Sequence, residues 1–151
     1  MNLSLVSQKP SSRTTLGVLA ALRAASEESD YVTEVRVAQP QQWQPSKDEA
    51  AILLLEEEGA AWPAPLWPAG GSALGLPVLP LLVHRQYEHT PQGPDVRDPH
   101  FYFVSNGILL DEAELADPAC SLVLQSKFES YFPLLSRLIL LRQRQPGVLS
   151  S

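Results

Sequence analysis

Hydrophobic and polar residues change rhythm several times along the chain, and each change marks an element. NLSLVS (2–7) is a short apolar-rich run ended by Lys9-Pro10, which predicts a strand. From 15 to 26 the period lengthens: Leu16, Leu19, Leu22 and Ala25, with Val18 beside them, recur at helical spacing. Thr14 or Thr15 is placed to cap that helix. YVTEVRVA (31–38) alternates Val32, Val35 and Val37 with polar residues and predicts a second strand. AAILLL (50–55) is apolar without a break, the pattern of a strand buried on both faces of a parallel sheet.

The Pro- and Gly-rich stretch 59–75 predicts no regular structure. LPVLPLLVH (76–84) predicts a fourth strand, although Pro77 and Pro80 each remove a ladder donor. A polar loop (85–99) leads to a fifth strand, HFYFVSNGILL (100–110). A closing helix over 126–144 carries Phe128, Phe132, Leu135, Leu138 and Ile139 on one face, with Arg137, Arg142 and Arg144 toward its C-terminal end.

This order is that of an α/β protein. It predicts a three-layer sandwich around a parallel five-stranded sheet with trimmed helices, because parallel crossovers ordinarily need a helix and the Trp-Pro stretch supplies none. The length of 151 residues suits one domain, assigned to 1–145 with a short tail at 146–151. At 44% hydrophobic and 19% charged, the chain has a globular composition. A net charge of −6 argues against nucleic acid as a partner, since that binding draws on clustered Lys and Arg. The single cysteine, Cys120, excludes an internal disulfide. No apolar run reaches the roughly 20 residues of a membrane helix, and the N-terminus has no signal-peptide pattern. The expectation is a soluble cytoplasmic protein.

The chemistry concentrates between the first strand and the first helix. SQKPSSRTTLG (7–17) packs five hydroxyl side chains and two cations into one turn. In an open parallel sheet, that loop lies where ligands bind, and the backbone N–H groups and dipole of a helix N-terminus favour an anion. An ordinary capped helix behind a polar loop is the alternative reading. No Gly-rich P-loop or dinucleotide fingerprint is present.

Ser7-Gln8-Lys9-Pro10-Ser11-Ser12-Arg13-Thr14-Thr15 resembles the phosphate loop of the flavodoxin-like NAD(P)H-dependent FMN reductases, which carry a Ser-x-Arg-x-x-Ser-x-Ser/Thr pattern. Ser7 matches the first Ser, Lys9 stands for the Arg, and Ser12 and Thr14 match the later hydroxyls. Weaker echoes lie in the fourth strand and in FESYFPLLSRLILL of the closing helix. The resemblance implies FMN held through its phosphate by Ser7, Lys9, Ser12, Arg13, Thr14 and Thr15, with NAD(P)H as hydride donor. It implies no catalytic side chain, because the flavin carries the chemistry. The chain departs from that family after the third strand, where Glu56-Glu57-Glu58-Gly59 replaces the loop that packs on the flavin ring. It departs again after the fourth, where His84-Arg85-Gln86-Tyr87 replaces a Gly-rich turn.

Those departures favour a second reading: a flavodoxin-like module that has lost its flavin and serves as a protein-interaction or assembly subunit. A receiver-like signalling domain would need acidic residues ending the first strand, and LVSQKP has none. Trp62 and Trp67 are read as flavin-stacking or loop-anchoring residues. Glu56 to Glu58, an acidic run at a strand end, reads as solvated surface. The spacing of His84, His89 and His100 with Cys120 fits no zinc pattern, and Cys120 reads as a buried small hydrophobe. Asp111-Glu112-x-Glu114 reads as an exposed capped turn. Tyr131, Phe132 and Leu138 to Leu141 give the closing helix more apolar surface than one sheet face needs, so a homodimer is expected.

Overall fold

A computed structural model describes residues 1–56, 75–84, 101–105 and 107–144. Its elements are β1 (Asn2–Ser7), α1 (Arg13–Glu27), β2 (Glu34–Ala38), β3 (Glu49–Leu55), β4 (Leu76–His84), β5 (Phe101–Phe103), β6 (Ile108–Asp111) and α2 (Pro118–Gln143), with 3-10 turns at Pro40–Gln42 and Glu112–Ala116. The strands pair in parallel in the order β2-β1-β3-β4-β5, and β6 also pairs with β4. That is the flavodoxin-like order, and its switch point falls between β1 and β3.

The expected fifth strand is broken in two along a single edge of β4. Val78 pairs with Phe103 and Leu81 with Ile108, so the ladder stops after Phe103 and resumes at Ile108, with only Leu79 and Pro80 between them on β4. Val104 N donates to Val78 O at 3.1 Å, so the main chain of Val78 faces this edge. Pro80, two residues on, faces it too and offers no N–H, which is where a parallel ladder is interrupted. Pro77 faces the other way and precedes the β3–β4 register, which begins at Ala51↔Val78. Both prolines are therefore tolerated inside a central strand.

β3 is buried along its whole length, as its unbroken apolar run predicts. One face of the sheet (Leu3, Leu5, Ile52, Leu79, Leu81) packs against Val18 and Leu22 of α1 and against Phe128, Phe132, Leu135 and Ile139 of α2. The first and last helices thus share a face. The opposite face has a smaller core of Val6, Ala51, Leu53, Leu76, Val78 and Phe101 under Trp43. Trp43 belongs to the β2–β3 connection, where a 3-10 turn stands in place of a crossover helix, and its ring stacks on Phe101 at 6.2 Å and 5°. The described helices therefore form one layer. Residues 57–74 and 85–100, which include Trp62, Trp67, Glu57, Glu58, His89 and His100, lie outside the described residues.

Two expectations are revised. Leu16 is 52% exposed, because the buried side of α1 runs through Thr14, Thr15, Val18, Leu19 and Leu22. α2 starts eight residues earlier than its apolar stripe suggests: Asp117 caps it, its side chain accepting from Ala119 N at 2.9 Å, and Pro118 opens the first turn. The helix then runs through Pro133 to Gln143.

The N-terminal edge of the sheet holds a buried acid with no counterpart in the sequence reading. Glu49 is fully buried, pairs with Arg36 of β2 and accepts from Trp43 Nε1 at 2.8 Å. Arg36 also donates from Nε to Ser4 Oγ at 3.1 Å. Burial pulls the Arg142 guanidinium below its ordinary value, and the charge of Glu49 opposes that shift. This cluster joins β1, β2 and β3 to the Trp43 segment.

Candidate functional site

The switch point brings together the end of β1, the loop into α1 and the residue that follows β3. Three of the six residues expected to hold a phosphate converge there. Ser7 and Thr15 are buried, their hydroxyls 2.9 Å apart. Ser12 is half-buried, and its Oγ lies 2.9 Å from Thr15 Oγ1. Thr14 is buried beside them, while Lys9 and Arg13 are exposed at the rim.

Capping falls to Ser12 rather than to Thr14 or Thr15. Ser12 has extended backbone (φ −67°, ψ 155°) and its Oγ accepts from Thr15 N at 3.0 Å. The loop closes on itself first, with Ser12 N donating to Lys9 O at 3.0 Å and Lys9 N to Ser7 Oγ at 3.1 Å. Pro10 between them restricts the turn that brings Ser12 to the helix start.

Glu56 departs most sharply from the expectation. The acidic run after β3 is not wholly solvated surface: Glu56 is only 7% exposed and turns into the loop. Its Oε1 accepts from Ser12 Oγ in a short hydrogen bond and from Thr15 Oγ1 at 3.0 Å. Thr15 Oγ1 has one proton to share between Glu56 Oε1 and Lys9 O at 2.8 Å, while Ser12 donates to Glu56 and Ser7 to Thr15. Glu56 Oε2 is buried and has no hydrogen-bond partner among the described residues. The cavity bounded by Ser7, Gln8, Lys9, Leu54 and Glu56 has a volume of about 10 Å³. That is room for about one water molecule.

These residues do not fit an FMN phosphate. The hydroxyls that would donate to it are engaged with one another, with Lys9 O and with Glu56. An ionised carboxylate and a phosphate oxygen about 4 Å apart repel by about 4 kcal/mol at an effective dielectric near 20. The larger cleft beside the loop, about 510 Å³, is bounded by Pro10, Ala38, Gln39, Gln42 and Trp43, with Arg36 as its ionisable residue. Arg36 is paired with Glu49, so among the described residues this cleft brings neutral amides and an indole but no free acid, base or nucleophile.

Among the described residues no three His, Cys, Asp or Glu side chains cluster as a metal site, and no helix is long and apolar enough to cross a membrane. Cys120 is half-buried and packs against the main core. Asp111 ends β6 and Glu112 opens a 3-10 turn, and both side chains are half-buried where exposed ones were expected. Comparison with family models, characterised proteins and solved structures found no match.

Proposed function

We propose that this chain is a non-catalytic flavodoxin-like module that holds no flavin and serves as a protein-interaction or assembly subunit. The observation that carries this reading is the buried Glu56 carboxylate, which lies where a cofactor's phosphate would have to sit.

The surface of α2 supports the interaction half of the reading. Leu122, Val123, Leu134, Leu140 and Leu141 are 43–65% exposed along its outward side. Lys127 and Arg137 lie among them, Glu129 borders them, and the chain as a whole carries −6. An apolar stripe with local positive charge suits a partner that presents leucine-like side chains beside carboxylates. A second copy of the chain would bring these cations together, so a different protein is favoured over the homodimer.

The reductase reading keeps one observation: the hydroxyl-rich loop does sit at the switch point, with Lys9 and Arg13 at its rim. Titration of FMN, followed by quenching of its fluorescence, separates the two readings. The expected result is no quenching at tens of micromolar protein and no flavin-dependent oxidation of NADH or NADPH. Stoichiometric quenching would restore the reductase.

A further inference from the structure

We infer that Glu56 is a built-in anion: its carboxylate occupies a phosphate-sized anion site at the N-terminus of α1 that the chain itself keeps closed. The inference rests on the cofactor-free reading and goes further, since it states what the loop binds once the carboxylate is removed.

Three observations point the same way. Ser12 and Thr15, the capping residue and the residue it caps, both direct hydroxyls at one oxygen of Glu56. The positive end of a 15-residue helix lies beside them. Glu56 Oε2 is buried and has no hydrogen-bond partner among the described residues, which is a poor outcome for a carboxylate buried merely for packing. A phosphate has three terminal oxygens to share among Ser7, Ser12, Thr15 and the exposed cations Lys9 and Arg13. The single-water cavity next to Glu56 shows that nothing larger enters while the carboxylate is in place.

Glu56 is the first residue after β3, so its backbone is held by the central strand while its side chain reaches across to the β1–α1 loop. Truncation to Ala removes the charge, frees the Ser12 and Thr15 hydroxyls and adds the volume of a carboxymethyl group to the cavity. The site so opened is suited to inorganic phosphate or a phosphomonoester.

The test is a thermal-shift series with inorganic phosphate at 0–50 mM, with chloride at matched ionic strength as control, on wild type, Glu56→Ala and Glu56→Ala/Arg13→Ala. Wild type is expected to respond to phosphate no more than to chloride. Glu56→Ala should melt several degrees lower without phosphate and recover part of that loss with it, at millimolar affinity confirmed by calorimetry. The double variant should bind phosphate about tenfold more weakly. If Glu56→Ala does not fold, Glu56→Ser replaces it, with the same expectations.

A folded Glu56 variant without a phosphate-specific response overturns the inference and leaves the cofactor-free reading standing. Wild type that binds FMN, or that responds to phosphate as the variant does, overturns both.

Discussion

The Glu49 cluster allows a perturbation whose size follows from the geometry. Glu49 is fully buried, whereas the Arg36 side chain that pairs with it is 45% exposed. Arg36→Met leaves the carboxylate with Trp43 Nε1–H and the more distant charge of Arg142. Breaking a wholly buried ion pair costs about 3–5 kcal/mol. The exposure of Arg36 and the residual partners reduce this to roughly 2–3 kcal/mol. Trp43→Phe keeps a ring over Phe101 and removes one hydrogen bond to a charged acceptor, a loss of about 1.5–3 kcal/mol. The informative variant is Arg36→Met/Glu49→Leu. Replacing a buried pair by apolar side chains is often neutral, but Glu49→Leu also strips the acceptor from Trp43 Nε1–H, so the double variant should lie about 1.5–3 kcal/mol below wild type. Urea unfolding followed by far-UV circular dichroism gives all four stabilities and the coupling between the two sites. Suppose Arg36→Met cost less than about 0.5 kcal/mol while the double variant lost as much as Glu49→Leu alone. The ion pair would then contribute nothing to the stability of this edge.

Gly17 sits inside α1, and a Cβ there would meet Leu115 Cδ2 at an ordinary 3.9 Å; Gly17→Ala should therefore raise stability by about 0.5–1 kcal/mol, seen as a higher urea midpoint. Gly107→Ala should do the opposite, losing about 1–3 kcal/mol, because φ is +131° and the new methyl would lie 3.1 Å from Leu82 Cδ1. Ser12→Ala removes both the α1 cap and a donor to Glu56 and should cost roughly 1–3 kcal/mol; a cost under 0.5 kcal/mol would show that neither contact matters. Leu134→Glu and Leu140→Glu, on the exposed side of α2, should change the urea midpoint little. In sedimentation they should abolish any self-association or partner binding that uses this surface.

Periodicity alone determined much of this protein. The unbroken apolar run 50–55 demanded a strand covered on both faces, which only a parallel α/β sheet provides. The change from period two to period 3.6 at Thr15 placed α1 behind β1 and therefore put the hydroxyl-rich loop at the strands' C-terminal edge. Burial is a local demand that each residue type makes on its own, so these features are legible one segment at a time. The α2 stripe from Phe128 to Ile139 was read in the same way, but its true start was not. Asp117 and Pro118 are start signals that lie before the apolar period begins. The break in the fifth strand was hidden for a related reason: it depends on Pro80 in a different strand, which meets this edge only after the sheet has formed. Glu49 and Glu56 mark the limit most clearly. Each flanks the same apolar run and by composition belongs to a solvated end. Yet β3 is the central strand, so both of its ends are covered by other segments: Arg36 and Trp43 at one, Ser12 and Thr15 at the other. Whether a carboxylate faces water or a helix N-terminus is decided by what lies opposite it across the sheet, and only the tertiary structure sets that partner.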